Sequence, residues 1–313
     1  MPVTDFTFAA LCTNSFGRKL IQYIEQQTTL ISARRLDVAL NLKQNGNHVK
    51  HNQRSVPMDE RAIGMLTDRG RVKDANEDSI KAIDIYPEAG CGPFKFLIVA
   101  DGMGGHATGD VASRMAVDSI FHAVQSRLSK GTPPASALKE SIQEANQKLL
   151  EYAGRNPESA GMGTTAVCAL VKDRDVHVAN IGDSRAYVIN NEGIRQVTRD
   201  HSYVQELVDK GSITEEEARS HPAKNVITKA IGIAAVAEPD MITLTMDDGE
   251  SLLLCCDGVI AHLEDDEIRE FMRGSGPQEA CKRIVDTANK RGGTDNISLI
   301  AFSPMRSGPQ DRA

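Results

Sequence analysis

Four aspartates, far apart in the chain, stand beside glycine or asparagine at the boundaries of predicted β-strands: Asp101, Asp183, Asp257 and Asp295. A single aspartate of this kind is typical of a turn. Two of the four directly follow an apolar run, in the form Asp101-Gly102 and Asp257-Gly258, which turns alone do not explain. Clustered carboxylates repel one another and raise each other's pKa values, so a fold that gathers them normally supplies cations.

The cations expected at such a cluster are Mg²⁺ or Mn²⁺. Carboxylates offer hard oxygen ligands, and none of the six cysteines forms a C-x-x-C pair that would favour zinc. Gly102 lets the backbone approach an ion closely, so that its carbonyl is a further candidate ligand. Two such ions about 4 Å apart lower the pKa of a shared water and clamp a phosphoryl oxygen. This arrangement is best suited to the hydrolysis of a phosphate ester.

Short strands separated by Asn/Asp-Gly turns have to position these aspartates. Apolar runs predict strands over residues 62–67, 80–85, 94–100, 166–171, 177–181, 186–189, 241–246, 251–256 and 297–302. Apolar residues at helical spacing predict helices over 109–130, 136–153 and 278–290. Two short polar helices, 204–210 and 214–219, belong to an insertion typical of an active-site flap. The hairpin-rich order favours antiparallel sheets over a parallel βαβ array.

Composition excludes several other classes of protein. The 313 residues are 40% hydrophobic and 25% charged, as in an ordinary globular protein. A formal net charge of -7 argues against nucleic acid and anionic membranes as partners, and no apolar run approaches the roughly 18 residues of a membrane span. The cysteine usage indicates a reduced, cytoplasmic protein.

Three parts of the chain differ in composition. Residues 1–59 are predicted to be an amino-terminal extension with one or two amphipathic helices and a linker over 41–57. A docking or regulatory role is favoured there over an organelle-targeting peptide. Residues 60–304 form the predicted domain, and 305–313 form a tail.

A loose dinucleotide fingerprint, Gly102-x-Gly104-x-x-Ala107, competes with the metal interpretation. That fingerprint places a pyrophosphate on bare N–H groups at a helix start, where Asp101 would repel it. The expected ribose-binding acid about 20 residues on is also absent from a strand end, because Asp118 falls within the predicted helix. The dinucleotide interpretation is therefore set aside.

Eight short motifs occur in order between about residues 60 and 303: Asn76-Glu77-Asp78-Ser79, Asp101-Gly102-Met103-Gly104-Gly105-His106, Gly161-Met162-Gly163-Thr164-Thr165, Gly182-Asp183-Ser184-Arg185, Asp200-His201-Ser202, His221-Pro222 with Asn225-Val226, Cys256-Asp257-Gly258, and Gly292-Gly293-Thr294-Asp295-Asn296. Each motif alone is weak. Their joint order and spacing resemble the metal-dependent Ser/Thr protein phosphatases of type 2C, the PPM family, in their bacterial form.

The resemblance implies an α+β fold, a four-layer α/β/β/α sandwich in which helices flank two antiparallel sheets and the metal site lies at one end. It implies hydrolysis of phosphoserine and phosphothreonine in proteins by a hydroxide that bridges two Mn²⁺ or Mg²⁺ ions. A third ion is expected near the flap. The expected partners are phosphorylated proteins, either substrates or autophosphorylated forms of Ser/Thr kinases, and the expected state is a monomer.

The resemblance also implies a role for each motif residue. The implied metal ligands are Asp101 between the two ions, the Gly102 carbonyl at one of them, Asp257 and Asp295 at the other, and Asp183 with Asp257 at the third. Glu77, with Asp78 beside it, is implied to orient metal-bound water without binding the ions directly. Asp101, Asp257 and Glu77 are thus the catalytic candidates.

Two positions depart from the family pattern. Lys73 stands where the family usually has an arginine that grips phosphate as a fork, so weaker phosphate binding is expected, with Arg71 as a substitute. Met103 replaces the histidine of animal and plant relatives, a candidate acid for the leaving group. His106 is the nearest alternative acid, and metal-bound water is another. An inactive, phosphoprotein-binding pseudophosphatase is the rival interpretation, and only Lys73 favours it.

Overall fold

The computed structural model describes residues 62–87, 92–104 and 108–304. Eleven strands and seven α-helices follow one another in this part of the chain: β1 (Ile63–Asp68), β2 (Asp78–Ile85), β3 (Phe94–Met103), α1 (Gly109–Ser129), α2 (Pro134–Arg155), β4 (Gly163–Thr164), β5 (Ala166–Lys172), β6 (Asp175–Ile181), β7 (Arg185–Ile189), β8 (Ile194–Gln196), α3 (Tyr203–Asp209), α4 (Glu215–Ser220), β9 (Asp240–Thr245), β10 (Ser251–Cys255), α5 (Asp257–Ile260), α6 (Asp265–Arg273), α7 (Pro277–Lys290) and β11 (Ile297–Phe302).

The strands form two antiparallel sheets. One sheet has the order β1-β11-β10-β7-β8, and the other has the order β2-β3-β5-β6-β9 with β4 attached to β3. Among the described residues, all nine pairs of neighbouring strands are antiparallel. The predicted preference for antiparallel sheets is therefore confirmed.

Three layers of buried side chains separate four layers of backbone. Phe96 and Ile98 of β3 pack under α1 and α2, whereas Leu97, from the opposite face of the same strand, packs between the two sheets. On β10, Leu254 faces the layer between the sheets, and Leu253 faces α6 and α7. Because alternate residues of a strand point to opposite faces, and both faces of these two strands are covered, their middle residues are apolar without alternation. This is the α/β/β/α sandwich that the resemblance implied.

Two predicted boundaries at the aspartates were wrong. β3 does not end before Asp101 but continues to Met103, so that Asp101 and Gly102 pair with Asp78 and Thr164 of neighbouring strands. β10 ends at Cys255, one residue before the predicted end at 256, and Asp257 opens the short helix α5. The glycines beside both aspartates lie close to neighbouring backbone, as described below.

Several expectations fall on residues outside the described ranges. These are the helices and linker of residues 1–59, the boundary near residue 60, the tail over 305–313, and His106. None of the helices in the described ranges is long and apolar enough to cross a lipid bilayer.

Candidate metal centre

The ends of several strands bring five aspartates to one end of the sandwich. Asp78 of β2 lies directly opposite Asp101 of β3 in the antiparallel register. Three more come from α5, from the segment before β11 and from the β6–β7 connection: Asp257, Asp295 and Asp183. All four neighbours are close enough for their charges to raise the pKa of Asp101. The four aspartates come together as the sequence predicted, and Asp78 lies among them.

Burial and mutual repulsion shift the pKa values of this cluster upward. Burial is the larger cause for Asp101, whose pKa lies well above its ordinary value, and the charges of its neighbours add to it. The same two causes raise the pKa of Asp78 and of Asp183 to about 7, and the pKa of Asp257 is raised as well. The groups around these aspartates therefore do not compensate their negative charge.

Some carboxylate oxygens in the cluster have no hydrogen-bond donor. Both oxygens of Asp78 and Oδ1 of Asp257 are buried without a partner among the described residues. Ser298 and Cys256 approach Asp78 closely enough to favour its charged form, but neither makes a well-formed hydrogen bond to it. Buried charged oxygens are costly unless something satisfies them. A hard divalent cation fits this all-oxygen donor set.

The β1–β2 loop, residues 69–77, carries two more candidate residues and is fixed by Asn296. The Asn296 side-chain amide donates to the carbonyls of Arg69 and Ala75, both at 2.9 Å. Its Oδ1 accepts from the N–H of Glu77 at 2.8 Å. One buried side chain thus holds the loop at both ends and next to Asp295.

Lys73 lies in the cluster, whereas the Arg71 side chain is exposed. Nζ of Lys73 is 2.6 Å from Oδ1 of Asp295. Partial burial alone would lower the pKa of Lys73, but the hydrogen bond to Asp295 and the negative charges of Asp101 and Asp257 outweigh it and raise the pKa. Arg71 meets the site region through its backbone, where its N–H donates to the Gly293 carbonyl at 2.8 Å.

The Glu77 side chain, from the β1–β2 loop, lies beside the first residue of α1. Burial raises its pKa, while the charge of Lys73 and a hydrogen bond from the Gly109 N–H act in the opposite direction. The first N–H groups of a helix suit a carboxylate, so α1 orients Glu77. The Glu77 carbonyl in turn accepts from the Ser113 hydroxyl at 2.6 Å and from the Gly102 N–H at 3.2 Å.

Gly102 lies where no larger residue fits. A Cβ at this position would be 2.0 Å from the Gly109 carbonyl oxygen and 2.5 Å from that of Glu77. Next to it, the Asp101 carbonyl accepts from the Thr164 hydroxyl at 2.8 Å, and the Asp101 N–H donates to the Thr165 hydroxyl at 3.0 Å. The backbone of the central aspartate is therefore held from both sides.

Asp183 and Asp257 line one side of a cavity of about 350 Å³, and the flap helices α3 and α4 line another. α3 is capped by the Ser202 side chain, and α4 by a capping box between Thr214 and Glu217. The cavity provides space beside the aspartates for part of a bound molecule. The predicted flap thus lies next to the site.

Two supporting groups were missed because their roles depend on contacts between distant segments. Asn296 was noticed only as part of a motif. Arg185 and Asp200 form a largely buried ion pair, with Nη2 of the arginine 2.7 Å from Oδ2 of the aspartate, beside Asp183. In the sequence, Asn296 and Arg185 stand out only as polar residues close to a strand-end aspartate, which does not reveal the contacts that they make.

Comparison with known proteins agrees with this geometry. The family model described as protein phosphatase 2C matches residues 72–292. The chain belongs to the protein phosphatase 2C family. It is 37% identical over 240 residues to the serine/threonine phosphatase stp of Listeria monocytogenes, a match that covers 75% of this chain and 92% of that protein.

Solved structures of protein phosphatase 2C enzymes superpose on the chain. Serine/threonine phosphatase Stp1 from Staphylococcus aureus has a TM-score of 0.69 and 36% identity, over 78% of this chain and 94% of that one. The catalytic domain of PstP in complex with two manganese ions has a TM-score of 0.65 and 30% identity, over 77% and 96%. The chain is thus a metal-dependent serine/threonine protein phosphatase, and the pseudophosphatase interpretation has no support.

Proposed function

We propose that Asp101, the Gly102 carbonyl, Asp257 and Asp295 hold two divalent ions, with Asp101 between them, and that Asp183 and Asp257 hold a third beside the flap. The observation that carries this proposal is the set of buried carboxylates with raised pKa values, together with the unpartnered Oδ1 of Asp257. The two manganese ions of the PstP structure support the number of ions at the core site. Mn²⁺ or Mg²⁺ suits the oxygen ligands.

The bound pair of ions supplies a water of lowered pKa and a clamp for the phosphoryl oxygens. The chain's own residues do the rest. Asp101 fixes the spacing of the site, because its backbone is held by the Thr164 and Thr165 hydroxyls. Glu77, oriented by the start of α1, accepts a hydrogen bond from the attacking water and keeps it in line with the phosphorus.

Lys73 is proposed to contact the substrate phosphate. Its ammonium group lies on the solvent side of the aspartates, with the side chain 42% exposed, so it reaches both Asp295 and the cleft. A lysine offers one flexible point charge where an arginine offers two parallel N–H donors. Arg71 is a weaker candidate, since among the described residues Lys73 and not Arg71 forms an ion pair with Asp295.

The proposed substrates are phosphoserine and phosphothreonine in proteins, including autophosphorylated Ser/Thr kinases. The cavity of about 350 Å³ beside Asp183 and Asp257 supports a substrate larger than the phosphate itself. The leaving-group acid is proposed to be a water in the site or His106. A cytoplasmic location is supported by the free, buried thiols of Cys168, Cys255, Cys256 and Cys281. The monomeric state stays a prediction.

A metal titration tests the ligand assignment. Metal-free wild-type protein, Asp257→Ala and the surface control Asp118→Ala are titrated with Mn²⁺ by calorimetry, and p-nitrophenyl phosphate turnover is followed with and without EDTA. Asp257→Ala should bind fewer Mn²⁺ ions and lose about 100-fold or more in kcat. Asp118, which pairs with Lys81 on the surface, should behave as wild type when replaced. Unchanged Mn²⁺ stoichiometry in Asp257→Ala would refute the assignment.

A further inference from the structure

A cysteine lies directly beneath the aspartate cluster. Asp78, Asp101 and Cys256 each offer one ligand atom, and these three atoms all lie within 4.8 Å of one another. Cys256 follows β10, is fully buried and packs in the layer between the two sheets. The oxygen-only set of the proposed catalytic ions does not use this sulfur.

Two backbone contacts fix the position of the Cys256 sulfur. The thiol donates to the Asn296 carbonyl at 3.4 Å, and the sulfur accepts from the Ser298 N–H at 3.1 Å. Both contacts come from the segment that leads into β11, which also carries Asp295. The sulfur is therefore held in place without a bound ion.

Asp78 provides an independent indication of a ligand at this place. Its carboxylate is almost completely buried, and both of its oxygens lack a partner among the described residues. It faces Asp101 across the β2–β3 pair and Cys256 across the space between the sheets. A sulfur beside two carboxylates is a mixed donor set, which Mg²⁺ avoids and which Zn²⁺ and Cd²⁺ accept.

We propose that Asp78, Asp101 and Cys256 form a binding site for a thiophilic divalent cation such as Zn²⁺, and that occupation of this site inhibits the phosphatase. Binding converts the Cys256 thiol into a thiolate, and its proton leaves to the solvent. Zinc bonds of about 2.3 Å to sulfur and 2.1 Å to oxygen place ligand atoms roughly 3.5 Å apart. Since the three atoms already lie within 4.8 Å of one another, binding needs movements of at most about 1.3 Å between any two of them.

The inhibitory effect rests on the proposed role of Asp101 between the catalytic ions. An Asp101 oxygen that binds Zn²⁺ together with Asp78 and Cys256 is no longer available to the catalytic ions. Zn²⁺ should therefore compete with Mn²⁺, and inhibition should weaken as the Mn²⁺ concentration rises. Binding of the thiophilic ion itself requires only the three side chains and is independent of turnover.

Cd²⁺ is the probe for binding, because a cadmium–thiolate bond has a charge-transfer band in the ultraviolet. The full chain is stripped of metal and titrated with Cd²⁺ as wild type, Cys256→Ser and Cys255→Ala. A serine hydroxyl keeps both backbone contacts of Cys256. Cys255 is the matched control, since it is the neighbouring buried cysteine but packs on the opposite face of β10 against α7. Inhibition by Zn²⁺ in the presence of Mn²⁺ is measured on the same three proteins.

Wild type and Cys255→Ala should show the band at one equivalent of Cd²⁺, and Cys256→Ser should lack this first equivalent. The Zn²⁺ concentration that halves activity should rise by about tenfold or more in Cys256→Ser. A band that survives in Cys256→Ser, or none in wild type, overturns the site. Equal Zn²⁺ inhibition of wild type and Cys256→Ser overturns the inhibitory role.

Two further results keep the test decisive. If circular dichroism shows that Cys256→Ser does not fold, Asp78→Asn replaces it, and Cd²⁺ affinity should fall by about tenfold; an unchanged affinity overturns the site. If Mn²⁺-dependent turnover is lost in Asp257→Ala without loss of Mn²⁺ binding, the ligand assignment fails. The Cd²⁺ band of wild type would still support the thiophilic site.

Discussion

Asn296 is expected to hold the loop that presents Lys73 and Glu77, and replacing it tests how the site is assembled. In Asn296→Ala the three hydrogen bonds of the side chain, at 2.8, 2.9 and 2.9 Å, are lost together. Asn296→Asp keeps the shape and one acceptor, but it places a charge against the carbonyls of Arg69 and Ala75. Both variants leave Asp295, the neighbouring metal-ligand candidate, in the sequence.

The size of the effect follows from the number of bonds and their burial. A hydrogen bond of this kind contributes on the order of 1 kcal/mol, so Asn296→Ala should lower the free energy of unfolding by about 2 to 4 kcal/mol. Asn296→Asp should cost at least as much, because its carboxylate lies beside other buried carboxylates. The freed loop should also raise KM more than it lowers kcat, since Lys73 loses its fixed position.

Urea unfolding of the metal-free protein measures the stability change, and steady-state kinetics on a phosphopeptide measure the catalytic one. Asn190→Ala is the matched control, because Asn190 also accepts two backbone hydrogen bonds, both at 2.8 Å, in the β7–β8 turn. It should lower stability without changing KM. The reasoning fails if Asn296→Ala costs less than about 0.5 kcal/mol or if its KM equals that of Asn190→Ala.

Three further perturbations have expected outcomes. Lys73→Arg should raise kcat/KM on a phosphopeptide several-fold, because a guanidinium adds about one charge-assisted hydrogen bond to phosphate; no gain would contradict the role of Lys73. The EDTA-treated protein should lose thermal stability as pH rises from about 5 to 7.5 and change little above that. The folded-state pKa of Asp78 and of Asp183 is raised to about 7, so in this window the folded protein binds protons that the unfolded chain, with ordinary aspartate pKa values, has already released. Differential scanning calorimetry should show a smaller pH dependence in Asp78→Asn, and an equal one would refute the cause. Gly102→Ala should destabilise the domain by several kcal/mol in urea unfolding, because its Cβ would lie 2.0 Å from a backbone oxygen. The control Gly154→Ala in α2, with open space around it, should be neutral or stabilising.

The sequence predicted the strands of the sandwich well because their signal is local. Continuous apolar runs within β3 and β10 indicate strands buried on both faces, and in the structure each has a strand on both sides in its sheet. The aspartates at the ends of such strands were predicted to converge, and they do. The four-layer arrangement itself came from the family resemblance, because strand order in a sheet depends on contacts between distant segments.

Two features near the site depend on contacts that the sequence does not show. Gly102 and Gly258 each lie where a Cβ would be within about 2 Å of a backbone oxygen. A glycine required for close approach has the same sequence signal as a glycine required for a turn. The position of Asp78 opposite Asp101 follows from strand register, which pairs residues far apart in the chain.

The contact between Lys73 and Asp295 has a consequence for the order in which the enzyme is loaded. The ammonium group of Lys73 lies 2.6 Å from Oδ1 of Asp295 and balances part of its negative charge. If Asp295 holds a divalent ion as proposed, that ion would repel the lysine and weaken this contact. Lys73 would then be available to a substrate phosphate only when the ion is bound, and metal-poor enzyme would not hold phosphoproteins through Lys73.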